Sequence, residues 1–379
     1  MADPLQIAQE LVPLVEAEAT NSERIATMPD RVVEAFRESR LFALQVPVSL
    51  GGYEADVETA LSVYETICRA DASTGWSLLA NASTSGFAST FTGDDAVEAM
   101  FGDGRLPTHA GQFSPRGTAV ATDGGFVVSG MYSFGSGSAH AEWIGGGALE
   151  MVNGAPRMRT PERPAIRAFF VPRDHVEFTG NWDVMGLVGT GSFDYTVPEQ
   201  TVAAGFTFDI LGDMPQRGAP MYRIGVLGLA AIGHAGFALG VGRRALDEIA
   251  ALAETKQRLG QASALVDQER FQYELGHHDA ALRAARALVF DVFGAAQARL
   301  DAGDTLNLDV DLVPVRQATT YATDVAADVA RFAYLSSGTD GLRNPNVIGR
   351  CFRDIHAATQ HMVVDRSTIV QSGRALLGR

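Results

Sequence analysis

The chain has 379 residues, 46% of them hydrophobic, and a formal net charge of -15. That length and apolar content suffice for a large core shared by two or three domains, and they exclude general disorder. The negative charge argues against nucleic acid or an anionic membrane as the main partner, because both demand a basic patch. Cys68 and Cys351 are the only cysteines, too few for a disulfide framework or a cysteine metal site. The opening Met1-Ala2-Asp3-Pro4 has neither a basic nor an apolar leader. A reducing, cytoplasmic setting is therefore expected.

From Pro4 to about Phe101 the pattern is helical. Leu5, Ala8, Leu11, Val12 and Val15 repeat at three and four, and Val32, Val33, Phe36 and Leu41-Phe42 mark a second helix. Gly51-Gly52-Tyr53 signals a loop; Leu61, Tyr64, Ile67 and Cys68 mark a third helix; Trp76 to Ala88 marks a fourth, with Asp71 or Ser73 placed to cap it. Near Leu106 the texture changes. Short alternating runs at Gly125-Phe126-Val127-Val128-Ser129-Gly130, Ala168-Phe169-Phe170-Val171-Pro172 and Phe193-Asp194-Tyr195-Thr196-Val197 predict an antiparallel sheet, with a hairpin turn at Asp123-Gly124-Gly125. From Met221 long helices return, at about 224–256, 263–300, 312–335 and a closing helix through His361, the pattern of an up-and-down bundle. The order implies a helical domain over 1–105, a β domain over 106–215 and a helical bundle over 216–379.

The run Ile224 to Gly242 carries no charge and is long enough to span a bilayer. Its Gly and Ala content, with His234 at its centre, fits a buried helix packed closely against its neighbours.

In the closing helix Arg353, Ala357 and His361 are spaced four apart and share a face, which Asp365 would extend. An imidazole there, oriented by a carboxylate, is a candidate general base; idle histidines on a surface helix have the same spacing. No Gly-x-Gly-x-x-Gly opens a helix after a strand, no Walker loop occurs, no Gly-x-Ser-x-Gly elbow occurs, and the histidine pairs lack metal-ligand spacing. No metal site is expected, and a bound organic cofactor is left as the reagent.

Three segments carry a family resemblance. Leu41-Phe42-Ala43-Leu44-Gln45-Val46-Pro47 followed by Gly51-Gly52, then Gly186-Leu187-Val188-Gly189-Thr190-Gly191-Ser192, then Arg350-Cys351-Phe352-Arg353-Asp354 resemble stretches of the acyl-CoA dehydrogenase superfamily. Val188 departs from its usual Arg. The resemblance runs from about Arg24 to Gln371. It implies a mostly α fold with a central β domain: N-terminal helices, a middle antiparallel β domain and a C-terminal four-helix bundle.

Counted from Arg353-Asp354, the family's closing Tyr-Glu pair falls on His361 and Met362, and a thioether cannot take a proton. The alternative base position is also empty, because no Asp or Glu lies between Asp213 and Asp247. Arg353-Asp354-Ile355-His356-Ala357-Ala358-Thr359-Gln360-His361 resembles instead the closing helix of the flavin-dependent monooxygenases on this fold, the oxygenase components of two-component hydroxylases. Phe134-Gly135-Ser136-Gly137-Ser138-Ala139-His140-Ala141-Glu142-Trp143 and Thr74-Gly75-Trp76 match the same subgroup.

That resemblance implies reduced flavin (FMNH2 or FADH2) and O2 as reagents, acting through a C4a-hydroperoxide on a small aromatic or phenolic substrate. It also implies a separate NAD(P)H-flavin reductase and a homotetramer. Ser136 would sit beside flavin N5, and His361 would deprotonate the substrate or donate a proton. Phe134, Ser136, Gly137, Thr190 and Ser192 are implied cofactor contacts. Lys256, in Lys256-Gln257-Arg258-Leu259-Gly260, is either a phosphate contact reaching a neighbouring subunit or a plain surface lysine. Trp76, Ser85 and His356 are implied substrate contacts, with core packing an equal reading for Trp76. An acyl-CoA dehydrogenase, an amino-sugar N-oxygenase and a flavin-binding relative without activity are the rival readings.

Overall fold

A computed structural model describes residues 2–257, 259–261 and 263–378. Helices α1 (Pro4–Ile25), α2 (Asp30–Glu38), α3 (Val57–Ala70), α4 (Ala72–Phe91) and α5 (Asp94–Phe101) form the N-terminal part. Three of these helices start on a side-chain cap. Asp3, Asp56 and Asp71 accept from the first-turn amides of α1, α3 and α4, so Asp71 rather than Ser73 is the cap of the fourth predicted helix.

Ten strands follow: β1 (His109–Thr122), β2 (Gly125–Gly135), β3 (Trp143–Val152), β4 (Ala155–Pro156), β5 (Met158–Thr160), β6 (Arg163–Pro164), β7 (Ile166–Pro172), β8 (Glu177–Phe178), β9 (Phe193–Ala203) and β10 (Thr207–Asp209). The main sheet runs β10-β7-β3-β1-β2-β9-β8. The hairpin at Asp123-Gly124 joins β1 to β2 as expected, with Thr122 opposite Gly125. The sheet is mixed rather than wholly antiparallel, because β1 and β3 pair in parallel. β3 returns on the far side of β1 from β2, and alternation within a strand carries no information about that direction.

The C-terminal helices are α6 (Gly225–Ala253), α7 (Glu269–Asp301), α8 (Leu308–Ser337), α9 (Val347–Ala358) and α10 (Ser367–Leu376). The apolar run chosen as a buried helix is α6. Leu229, Ile232, Phe237, Leu239, Val241, Leu246 and Ile249 on it are at most 1% exposed. Each such side chain contributes about 1.5–3 kcal/mol relative to an exposed one. A Cβ at Gly240 would lie 2.4 Å from the Glu65 carbonyl oxygen, so the small residues of α6 are what let α3 approach it. Helices α3, α4, α6, α7, α8 and α9 share one continuous core, while the inner face of the sheet has its own around Tyr132, Phe169 and Tyr195.

The closing helix departs from expectation in one respect that matters for function. It ends at Ala358, and the chain then tightens: Gln360 N–H donates to the Ala357 carbonyl and His361 N–H to that of Ala358. His361 itself is extended (φ -76, ψ 137) and starts a 3-10 turn over Met362–Val364. It therefore leaves the face of Arg353 and Ala357. Asp365, beyond that turn, is exposed and accepts from Ser367 N, so it does not orient His361.

Candidate active site

Three segments converge on Ser136. The second turn of α4 presents Trp76, whose indole Nε1 donates to Ser136 Oγ at 3.1 Å. The turn after β2 carries Ser136 itself, with Phe134 at φ 66 and Gly137 at φ 70. The turn before β9 brings Ser192, whose Oγ lies 2.7 Å from Ser136 Oγ, and Thr190, whose Oγ1 lies 2.7 Å from Ser192 Oγ. Thr190 in turn donates to the Leu187 carbonyl at 2.7 Å. Gly137 N–H donates to the Thr190 carbonyl, and Asn81 on α4 donates to the Gly137 carbonyl, so backbone and side chain lock the turns together.

The turn at residues 186–192 is clamped to α9. A Cβ at Gly186 would stand 2.2 Å from the Arg353 carbonyl oxygen. Leu187, at φ 57, donates its N–H to Asp354 Oδ1 at 2.6 Å. Asp354 is 2% exposed and its other oxygen has no partner. Burial raises its carboxyl to about 7, against the lowering effects of the Leu187 N–H and Arg350. Arg350 also pairs with Asp71, the cap of α4, at 3.5 Å, so α9 holds both the helix that carries Trp76 and the turn that carries Ser192.

A second group of rings faces this one. Trp76 packs edge-on against His361 (5.6 Å between centroids), His234 (5.4 Å) and Phe237 (4.9 Å), and His234 lies 5.4 Å from His361. Desolvation by the surrounding protein draws the His361 imidazole down to about 4, although the residue is exposed at the surface. Its Nδ1 accepts from Val363 N–H at 3.3 Å. A backbone amide can only donate, so the neutral ring carries its proton on Nε2. His234 is 1% exposed, neither ring nitrogen has a partner among the described residues, and burial, reinforced by His361, holds its pKa well below the usual value.

The structure thus brings Trp76, Phe134, Ser136, Gly137, Thr190, Ser192 and His361 into one neighbourhood. The other expected residues are engaged elsewhere. Ser85 is buried and hydrogen-bonds His109 Nδ1 at 3.1 Å. The His356 ring packs on Phe352, itself stacked on Tyr334, and its Nδ1 bonds the Phe352 carbonyl. Lys256 Nζ pairs with Asp340 at 2.6 Å; its neighbour Arg258 lies outside the described residues. His234 and Asp354 were not singled out as site residues. The signal for His234 was in view, one polar side chain inside a charge-free run.

Among the described residues, no carboxylate hydrogen-bonds Trp76, Ser136, Thr190, Ser192 or His361. Beside these polar groups in the chain stand exposed apolar side chains: Phe134 (65%), Met185 (61%) and Met362 (53%). A hydroxyl set among exposed apolar groups suits a flat ring with a polar edge, which is the shape of a flavin.

The acyl-CoA dehydrogenase N-terminal domain family matches residues 6–99 and its C-terminal domain family matches residues 232–366. The indole-3-acetate monooxygenase of Pseudomonas putida is 30% identical over 348 residues, covering 92% of this chain and 87% of that protein. The chain belongs to the flavin-dependent monooxygenases of the acyl-CoA dehydrogenase fold. Another member, the flavin-dependent monooxygenase oxygenase subunit HsaA of Rhodococcus jostii, is 26% identical over 392 residues, 95% of this chain and 94% of that one. Among solved structures, XiaF from Streptomyces sp., in complex with FADH2 and glycerol, superposes with a TM-score of 0.89 at 23% identity, covering 99% of this chain and 95% of that one.

Proposed function

We propose that the protein is the oxygenase component of a two-component hydroxylase, taking reduced flavin from a separate reductase and inserting one oxygen atom from O2 into a small aromatic or phenolic substrate. The observation that carries this reading is that Trp76 touches both Ser136, through its indole N–H, and His361, through its ring, and that among the described residues no carboxylate hydrogen-bonds any of the three to serve as a dehydrogenase base. Reduced flavin, when bound, supplies the activation of O2. Phe134 and Ser136 would hold its ring, and Ser136 would face N5.

The other residues of the site act on substrate and water. Trp76, His234, Phe237 and His361 form an aromatic wall without a permanent charge, which suits a flat apolar substrate. His361, with its proton on Nε2, donates a hydrogen bond at neutral pH; it becomes a base only after Nδ1 releases Val363. Of the two roles expected for it, the geometry favours donation. Trp76, His234 and Phe237 are buried, so the side of His361 that they cover is shielded from bulk water. Names of relatives support the substrate class, since the Pseudomonas putida protein is an indole-3-acetate monooxygenase.

Assembly as a homotetramer and a cytoplasmic setting, away from nucleic acid and membranes, complete the proposal, supported by the fold family and the charge of -15. Light scattering checks the assembly. The reaction is tested by mixing the protein with reduced flavin, 18O2 and a panel of indoles and phenols. The reading predicts product carrying one 18O atom. Reduction of a dye by acyl-CoA, with no labelled product from any aromatic compound, would overturn it.

A further inference from the structure

The hydroxyl chain behind Ser136 has a direction. Trp76 Nε1 can only donate and the Leu187 carbonyl can only accept, so the hydrogens between them are fixed from both ends. Each hydroxyl has one hydrogen. Thr190 spends its own on Leu187, so at 2.7 Å it must accept from Ser192. Ser192, having given its hydrogen to Thr190, must accept from Ser136, also at 2.7 Å. Ser136 has then given its hydrogen away and taken that of Trp76. What it offers a ligand is a lone pair.

The far end of the chain is held firmly. The Leu187 carbonyl keeps its aim because Leu187 N–H is bonded to buried Asp354, and because Gly186 lies against the α9 backbone. Neighbouring hydrogen bonds in such a row polarise one another in the same sense, which resists reversal of any single hydroxyl.

We propose that Trp76, Ser192, Thr190 and the Asp354-held Leu187 carbonyl are positioning residues that make Ser136 a one-way acceptor, so that the site selects reduced over oxidised flavin. Reduced flavin carries a hydrogen on N5 and is matched by that lone pair; oxidised flavin presents a lone pair there and is opposed by it. The proposal rests on the reading that Ser136 faces N5.

The test is the ratio of dissociation constants for oxidised and anaerobically reduced FMN, measured by equilibrium binding in wild type, Ser136→Ala, Thr190→Val, Thr190→Ser and Ser192→Ala. In Thr190→Val the Ser192 hydrogen loses its acceptor and can turn to Ser136, freeing the Ser136 hydrogen for the ligand. The preference for reduced FMN is expected to fall about tenfold, the equivalent of one neutral hydrogen bond. Thr190→Ser restores it, and Ser192→Ala repeats the fall by another route. If Ser136→Ala lowers the ratio while both Thr190→Val and Ser192→Ala leave it unchanged, the directional chain is refuted and Ser136 keeps its place. If Ser136→Ala itself leaves the ratio unchanged, Ser136 does not face N5.

Discussion

Replacing Asp354 by Asn separates the charge of the clamp from its shape. Asn keeps an oxygen for the Leu187 N–H and carries no ionisable proton. In the native protein, burial lifts the Asp354 carboxyl from 3.8 to about 7, with nearby Asp71 and Glu23 adding to the rise and the Leu187 N–H and Arg350 opposing it. Between those values the folded chain keeps a proton that the unfolded chain has released. Stability from this group is therefore present at low pH, is lost as pH rises from about 4 to about 7, and is flat above. At about 1.4 kcal/mol for each pH unit of displacement, the loss is on the order of 4 kcal/mol. Urea unfolding followed by tryptophan fluorescence at intervals from pH 4.5 to 8 checks this. Asp354→Asn is expected to gain on wild type by about 3 kcal/mol between pH 4.5 and pH 7.5. Parallel pH profiles for the two proteins would refute the reasoning.

Other substitutions probe the rest of the site. His361→Ala is expected to cut product formation about 100-fold or more, the usual range for losing a positioned proton donor, with H2O2 rising in its place; reduced-flavin binding stays within about threefold, as single-turnover product analysis and titration would show. Gly186→Ala drives a methyl group into the Arg353 carbonyl and lifts Leu187 from Asp354. Overpacking together with a lost buried hydrogen bond gives an expected destabilisation of about 2–5 kcal/mol, measurable by urea unfolding. His234→Leu removes two unpartnered buried nitrogens and is expected to raise stability by about 1–2 kcal/mol while lowering the yield of hydroxylated product; a loss of stability would mean that His234 is satisfied in a way its surroundings do not show.

Much of the fold was legible because its signals are local. The cap at Asp71, the Asp123-Gly124 turn and the small-residue composition of α6 each dictate structure within a few residues of themselves. What lay beyond reach depends on contacts between distant segments. The parallel pairing of β1 and β3 is set by the path of the chain around β2, which alternation does not encode. The four-residue spacing placed His361 on the wrong path, since no Gly or Pro marks the end of α9 and the helix closes by tightening its last turn. Thr190 and Ser192 were legible as neighbours of the cofactor only through resemblance. Their role behind Ser136 needs four hydroxyl and carbonyl groups from two turns to meet in space. Asp354 stood within a quoted motif, and nothing local tells that its carboxylate reaches Leu187, 167 positions away in sequence.

An anaerobic crystal structure with reduced flavin bound tests the account most directly. It predicts flavin N5 within hydrogen-bond distance of Ser136 Oγ, the Trp76-to-Ser136 bond intact, and His361 across the cleft facing the ring. A flavin seated away from Ser136, or a carboxylate poised over the ring in place of His361, would contradict it.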